Sequence, residues 1–198
     1  NNHDKIIENI DVGGPTMVRS AAKNYKYVTV ITSSNQYKEL IEELKKYKGS
    51  TSLKFREKLS RLAFTKTAYY DSIICNYFNK ISSITFPENK IFHAKLIGLP
   101  RYGENPHQKS AIYSRSENNN FKQIHGKHLS YNNYNDIFTA LTISKSLPKN
   151  SGTVIIKHAN PCGVSIKKNN LESYKAALEC DPVSAFGGIV SCNRSEER

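Results

Sequence analysis

The 198-residue sequence has no apolar run approaching the roughly 18 residues of a membrane span, and no apolar signal-peptide core near its start. A soluble, cytoplasmic protein with no membrane partner is the expectation. The four cysteines, Cys75, Cys162, Cys180 and Cys192, lie far apart without a C-x-x-C pair. Neither a disulfide framework nor a zinc knuckle is indicated, and buried, reduced thiols are expected. Acidic side chains are scarce, 17 against 29 lysines and arginines, for a formal charge of +12. That balance raises the question of nucleic acid. However, Lys38, Lys45, Lys46, Lys54 and Lys58 alternate with Glu39, Glu42, Glu43 and Glu57, as solvated helix faces do. With no recognition helix, aromatic RNA-binding strand or compact basic tail, no nucleic-acid partner is expected. Compositional drift and a phosphorylated small molecule both suit the charge. Internal repeats and true low-complexity tracts are also missing.

What is present is ordinary globular composition, 38% hydrophobic and 23% charged, in a length that suits one large or two small domains. The chain opens on Asn1-Asn2-His3 without an initiator methionine and closes on Ser195-Glu196-Glu197-Arg198, which reads as the first turn of a further helix. A fragment of a longer protein is therefore expected. The pattern predicts the end of a helix over 3–10 and a turn at Asp11–Thr16. A helix to about Asn24 follows, with Pro15 in its first turn and Met17, Val18, Ala21 and Ala22 inward. A strand over Tyr27–Thr32 and a helix over Gln36–Tyr47, with cap candidates at Ser33-Ser34-Asn35, make a βα unit. A longer helix over Ser52–Ile81 carries Phe55, Leu59, Leu62, Tyr69, Ile73 and Tyr77 as one buried stripe.

Ser82–Lys90 is polar and turn-rich, which places a boundary there: residues 1–81, a linker 82–91, and 92–198. Beyond it the pattern predicts a strand over Ile91–Ile97 and a short strand over Ala111–Tyr113. An exposed turn over Glu117–Asn120 comes next, with Phe121–Ile124 pairing back across it. A helix over Tyr134–Ser146, capped by Asn133 or Asn135, precedes a buried strand over Thr153–Ile156. A helix over Leu171–Glu179 and a strand over Ile189–Cys192 complete an α/β pattern.

Three stretches carry chemistry. The strand Thr153–Ile156 delivers Lys157 and His158 into Asn160-Pro161-Cys162-Gly163, read as the turn that leaves the sheet. Neighbouring strand side chains point to opposite faces, so the two share a site only if the strand breaks there. Imidazole is the side chain suited to accept a proton near neutral pH; a solvated surface pair is the plain alternative. In Arg101-Tyr102-Gly103-Glu104-Asn105-Pro106-His107-Gln108, Arg101 has the fork geometry to grip a phosphate and Tyr102 a ring to stack, unless this is an ordinary connecting loop. In Asp11-Val12-Gly13-Gly14-Pro15-Thr16 the glycines allow backbone N–H groups to approach an anion, or simply make a tight turn.

The order of these blocks resembles the bifunctional purine-biosynthesis family that joins AICAR transformylase to IMP cyclohydrolase. Asp11–Asn24 is similar to its cyclohydrolase signature. Arg101–Gln108, Leu129-Ser130-Tyr131-Asn132-Asn133, Lys157–Gly163 and Asp181–Gly188 are similar to successive transformylase signatures. The resemblance implies that residues 1–81 are the C-terminal part of a Rossmann-like cyclohydrolase domain of the methylglyoxal-synthase type. It likewise implies that 92–198 are the N-terminal part of a transformylase domain with a cytidine-deaminase-like α/β/α fold.

The implied chemistry is the last two steps of IMP synthesis: formyl transfer from 10-formyltetrahydrofolate to AICAR, giving FAICAR, then ring closure with loss of water. His158 matches the family's proton-transfer histidine and Lys157 its neighbouring lysine. Arg101 and Tyr102 would hold the nucleotide, with Asn133, Phe186 and Gly187 at its ring or carboxamide. Asp11 and Lys23 match residues placed around the formyl and carboxamide groups in ring closure. Lys23 lies about 12 Å along the helix from Pro15, at about 1.5 Å per residue, so it reaches Asp11 only by bracketing a ligand.

A zinc deaminase of similar fold would need H-x-E followed by P-C-x-x-C. Here Ser165 stands at the second cysteine position and Ala159-Asn160 follows His158, so zinc is rejected. The family also uses a lysine, a tyrosine and a phosphate loop from an N-terminal half, and a second transformylase subdomain with most folate contacts. None of these is matched here, which implies that the 198 residues alone have neither activity. A homodimer with sites between subunits is implied as well. The alternatives from other classes are a basic nucleic-acid-binding module and a non-catalytic α/β domain.

Overall fold

The computed structural model describes residues 2–115 and 121–193. The expected turn at Glu117–Asn120 and the helix start at Ser195 lie outside the described residues. The chain forms two compact units, Asn1–His93 and Ala94–Arg198.

In the first unit α1 spans His3–Glu8, α2 Gly13–Lys23, α3 Tyr37–Lys46 and α4 Leu53–Ile81, with a one-turn 3-10 helix at Ser34–Gln36. Local chemistry sets these boundaries. Ser52 Oγ accepts the N–H of Phe55 to cap α4, and Ser33 with Gln36 forms a reciprocal capping box ahead of α3. The core gathers Ala22, Val30, Phe55, Leu59 and Ala63, with Val18, Ala21, Ile31 and Leu40 against it.

Three expectations are corrected here. Met17, expected inward, is 75% exposed. Of the stripe expected on α4, Phe55 and Leu59 are buried, Leu62, Tyr69 and Tyr77 are half-buried and Ile73 is exposed. Tyr27–Thr32 forms no strand: Tyr27 closes a turn on Asn24 O, and no ladder partner lies beside the rest among the described residues. Side chains instead hold the turn before it and its Thr32 end. Arg56 donates to Tyr25 O and Lys26 O at 2.9 Å each, Lys66 Nζ donates to Thr32 O, and Gln36 Oε1 accepts the Thr32 N–H at 2.9 Å.

The second unit begins with an antiparallel ribbon, β1 (Lys95–Gly98) and β2 (Ile112–Ser114). A three-stranded sheet follows, ordered β4-β3-β5, from β3 (Gly152–Lys157), β4 (Asn160–Ile166) and β5 (Ile189–Cys192), with every pairing antiparallel. Central β3 is buried from Gly152 to Ile156 because both faces are covered. Val154 and Ile156 pack on Ala140 and Ile143 of α5 (Tyr131–Ser146), and Ile155 packs on Ala177 of α6 (Asn170–Cys180). Helix on one face, sheet, and helix on the other give an α/β/α layering.

Four further readings change. The turn after β3 is His158-Ala159, not Asn160–Gly163. Lys157 pairs with Asn160 across a two-residue hairpin, and Asn160–Ile166 runs on as edge strand β4. Pro161 is tolerated because β4 is an edge, and Cys162 is the extra residue of a bulge between the pairs Ile156↔Pro161 and Ile155↔Gly163. Phe121–Ile124 forms no strand; the Phe121 ring lies instead against Tyr134 and Phe138, 5.7 and 6.0 Å between centroids. Helix α5 starts at Tyr131, three residues early, since Ser130 rather than Asn133 or Asn135 is its N-cap. Finally, Cys180 and Cys192 are exposed thiols, while Cys75 and Cys162 are partly buried.

Candidate functional site

Lys157 is the last residue of β3, and His158 and Ala159 are the two central residues of the hairpin. Their φ angles are +53° and +58°, the left-handed pair that defines a type I′ turn. The strand thus ends between the lysine and the histidine, the break that lets neighbouring side chains serve one site. The sheet being antiparallel, this corner is made by hairpin geometry and not by the carboxyl ends of parallel strands.

Other segments are tied to that corner. Lys157 Nζ donates to the Phe186 carbonyl at 2.8 Å, fastening the loop Asp181–Gly188 to the end of β3. Gly187 continues that loop at φ +75°, and a Cβ on Gly188 would lie 2.8 Å from Ile156 O. The Ala159 N–H donates to Asp136 Oδ1 of α5 at 2.6 Å. One turn earlier, Asn132 Nδ2 donates to Glu104 O at 3.2 Å, joining α5 to the Arg101–Gln108 loop. That loop is braced by Gly103 N–H to Gln108 O at 2.7 Å and Ser110 Oγ to Tyr102 O at 2.8 Å.

A cleft of about 410 Å³ opens beside the hairpin, lined by Lys157, His158, Asn160, Pro161, Cys162, Asp181 and Ser184. Hydrogen bonding from the Ser184 hydroxyl, then from its N–H, holds the Asp181 carboxyl below the usual carboxylate range. The cleft therefore combines an imidazole, an ammonium and a stabilised carboxylate, a set able to move a proton and to support developing charge.

The structure gathers Lys157, His158, Phe186 and Gly187 at one end of the sheet. The Phe186 ring is 84% exposed, free to meet a ligand face. Arg101 and Tyr102 lie on the loop that the Asn132 bridge ties to α5. The Arg101 guanidinium carbon lies 5.5 Å from the Tyr102 ring centroid, so each side chain faces the other. Asn133 Oδ1 accepts from Ser130 N at 3.0 Å and Ser130 Oγ at 2.9 Å, which commits that oxygen to the helix cap.

In the first unit, Asp11 Oδ1 accepts the Gly14 N–H at 2.9 Å, and the Asp11 N–H donates to Tyr70 Oη at 2.8 Å. The anion at this helix start is thus the chain's own carboxylate. Asp11, Gly14, Pro15, Thr32, Lys66 and Tyr70 line a cavity of about 300 Å³; Lys23, exposed at the far end of α2, is not on its wall.

Sequence reasoning missed Asp136, Lys66 and Tyr70. Each is a helix residue with an ordinary surface signature, and only folding brings it to its site. Among the described residues, no group of three or more His, Cys, Asp or Glu is arranged to hold a metal ion, and no helix is long and apolar enough to cross a membrane.

The family model described as AICARFT/IMPCHase bienzyme matches residues 21–197. The bifunctional purine biosynthesis protein PurH of Rhizobium leguminosarum bv. trifolii (strain WSM2304) is 45% identical over 195 residues, covering 96% of this chain and 36% of that protein. The protein of the same name from Thermoanaerobacter sp. (strain X514) is 46% identical over 196 residues, covering 97% of this chain and 38% of that protein. The chain thus spans little more than a third of the length of these curated relatives. With the family match running over nearly its whole length, the chain belongs to the AICARFT/IMPCHase bienzyme family.

Proposed function

We propose that the chain is the junction piece of an enzyme of the last two steps of IMP synthesis, with residues 1–81 from the cyclohydrolase, 82–91 as linker and 92–198 from the transformylase. The first unit would then be the C-terminal portion of a Rossmann-like, methylglyoxal-synthase-like domain. The second would be the first part of a cytidine-deaminase-like domain, a reading supported by its α/β/α layering.

The observation that carries the reading is the Lys157-His158 corner: the strand ends between the two residues, and Lys157 holds the Phe186 carbonyl. In formyl transfer the 5-amino nitrogen of AICAR attacks the formyl carbon of 10-formyltetrahydrofolate. His158 takes the amine proton as the tetrahedral centre forms, and the Lys157 ammonium supports the oxyanion. The carbon–N10 bond then breaks, N10 recovers a proton, and FAICAR leaves. Arg101 and Tyr102 hold the nucleotide, and Asn133, Phe186 and Gly187 contact its base. In ring closure the carboxamide nitrogen attacks the formyl carbon and water departs, with Asp11 and Lys23 assisting. Folate is a co-substrate, and no zinc takes part. The working unit is a cytoplasmic homodimer.

The test is His158→Ala in the complete protein. Formyl transfer should fall by roughly a hundredfold or more while cyclisation of supplied FAICAR continues. Unchanged formyl transfer would remove His158 from the chemistry. The 198-residue chain by itself should catalyse neither step, and measurable AICAR formylation by it would overturn that part of the reading.

A further inference from the structure

We propose that Asp136 is the positioning residue of the His158 turn, holding the imidazole in place through the backbone of Ala159. The inference rests on the proposed role of His158 in formyl transfer.

Type I′ turns favour Asn-Gly because both central residues must take positive φ, which a Cβ resists. Here the two positions are His158 and Ala159, at φ +53° and +58°, with neither Gly nor Asn at either. Local preference does not explain the turn, so something outside it must over-determine it. Among the described residues, two side chains hydrogen-bond its backbone. Asn160 Nδ2 donates to the His158 carbonyl at 2.8 Å from within the hairpin. Asp136 Oδ1 accepts the Ala159 N–H at 2.6 Å from a different element, 23 residues away in sequence.

A charged acceptor makes that second bond the stronger kind. Its position is also fixed independently of the turn. Asp136 lies one helical turn before Ala140, and Ala140 is buried against Val154 and Ile156 of β3. The strand that carries Lys157 and the helix that carries Asp136 are thereby locked in one core, and the carboxylate arrives at the hairpin as a rigid strut. Among the described residues Asp136 forms no ion pair, so its oxygen is committed to the Ala159 amide and not to a cation. Releasing that amide leaves His-Ala in a conformation it does not favour, and the imidazole loses its fixed direction toward the cleft.

The experiment uses Asp136→Ala, Asp136→Asn, Ala159→Gly and the double variant Asp136→Ala/Ala159→Gly in the complete protein. Asp136→Ala should lower kcat for formyl transfer about tenfold to a hundredfold, with KM for AICAR changed less than about twofold. Asp136→Asn should keep most of the rate, because the amide oxygen still accepts. In the double variant glycine takes φ +58° without a Cβ clash, so kcat should recover relative to Asp136→Ala. An unaltered kcat in Asp136→Ala, an Asn variant as damaged as the Ala variant, or a double variant with no recovery would each overturn the inference.

A second readout needs no turnover: hydrogen exchange of the Ala159 amide, followed by NMR in the 198-residue chain, should be about tenfold or more faster in Asp136→Ala. Unchanged protection would also refute the strut. If His158→Ala leaves formyl transfer intact, the catalytic reading fails while the Ala159 amide still decides whether Asp136 holds the turn.

Discussion

A Cβ placed on Gly163 would lie 1.8 Å from the carbonyl oxygen of Ala177 and 2.8 Å from its carbon, so β4 and α6 touch backbone to backbone at that point. Glycine is required there by close approach and not by an unusual φ. Because the obstacle is main chain of a packed helix, it cannot swing aside as a side-chain tip would. Gly163→Ala should cost about 3 kcal/mol or more in urea unfolding, the upper end of overpacking effects. A loss below about 1 kcal/mol would show that the contact is not made.

Asn193 seals the other end of the same sheet. Its Oδ1 accepts the N–H groups of Ser151 and Gly152 at 3.1 and 2.9 Å, while its Nδ2 donates to the carbonyls of Ser144, Leu147 and Pro148 at 3.2, 3.4 and 2.8 Å. One amide therefore stitches the end of α5 to the start of β3. Asn193→Asp keeps the acceptor but turns a negative oxygen toward the carbonyls. It should destabilise by about 2 kcal/mol or more, at least as much as Asn193→Ala. An aspartate variant as stable as the parent would contradict the network.

The Asp181 carboxyl is held below its ordinary range chiefly by the Ser184 hydroxyl, then by the Ser184 N–H, with burial opposing. A folded-state value below the unfolded one means stability that is present above the unfolded carboxyl value and lost as pH falls through the folded one. In Ser184→Ala the hydroxyl bond goes and the main-chain bond stays, so the Asp181 value should rise part of the way. Carboxyl carbon titration by NMR reads this directly, and an unmoved midpoint would discard the hydroxyl as the main cause.

Lys157 stands on the proposed catalytic corner, and its contact with Phe186 O is solvent-accessible, so structure and function separate cleanly. Lys157→Met should change stability by less than about 1 kcal/mol yet lower formyl transfer in the complete protein about a hundredfold. Full activity in this variant, with folding intact, would eliminate the ammonium from the chemistry.

The elements read most accurately from sequence have their causes close by in the chain. Helix α4 begins one residue after its Ser52 cap, where the apolar periodicity starts. Strand β3 follows from an unbroken Thr153–Ile156 run that needs cover on both faces. The motif blocks, in their order, were sufficient to point to the family. The features read wrongly depend on partners elsewhere. Tyr27–Thr32 has β-branched composition, but a strand is a property of two chains of backbone, and no second one lies beside it among the described residues. The turn was placed at Asn160–Gly163 because Asn, Pro and Gly carry the usual turn signals. The actual turn is His158-Ala159, which carries none, and Pro161 sits where an edge strand tolerates it.

By itself, then, the sequence determined the capped start of α4, the central buried strand, the polar stretch before the second unit and the presence of the Lys157-His158 pair, since these follow from propensity, capping and periodicity within a few residues. Only tertiary structure decided where the hairpin turns, that Asp136 reaches the Ala159 amide, that Lys157 holds the Phe186 carbonyl and that Lys66 rather than Lys23 lines the cavity with Asp11. Those relationships join residues tens of positions apart, and their energies exist only once the core of each unit has brought the partners within hydrogen-bonding distance.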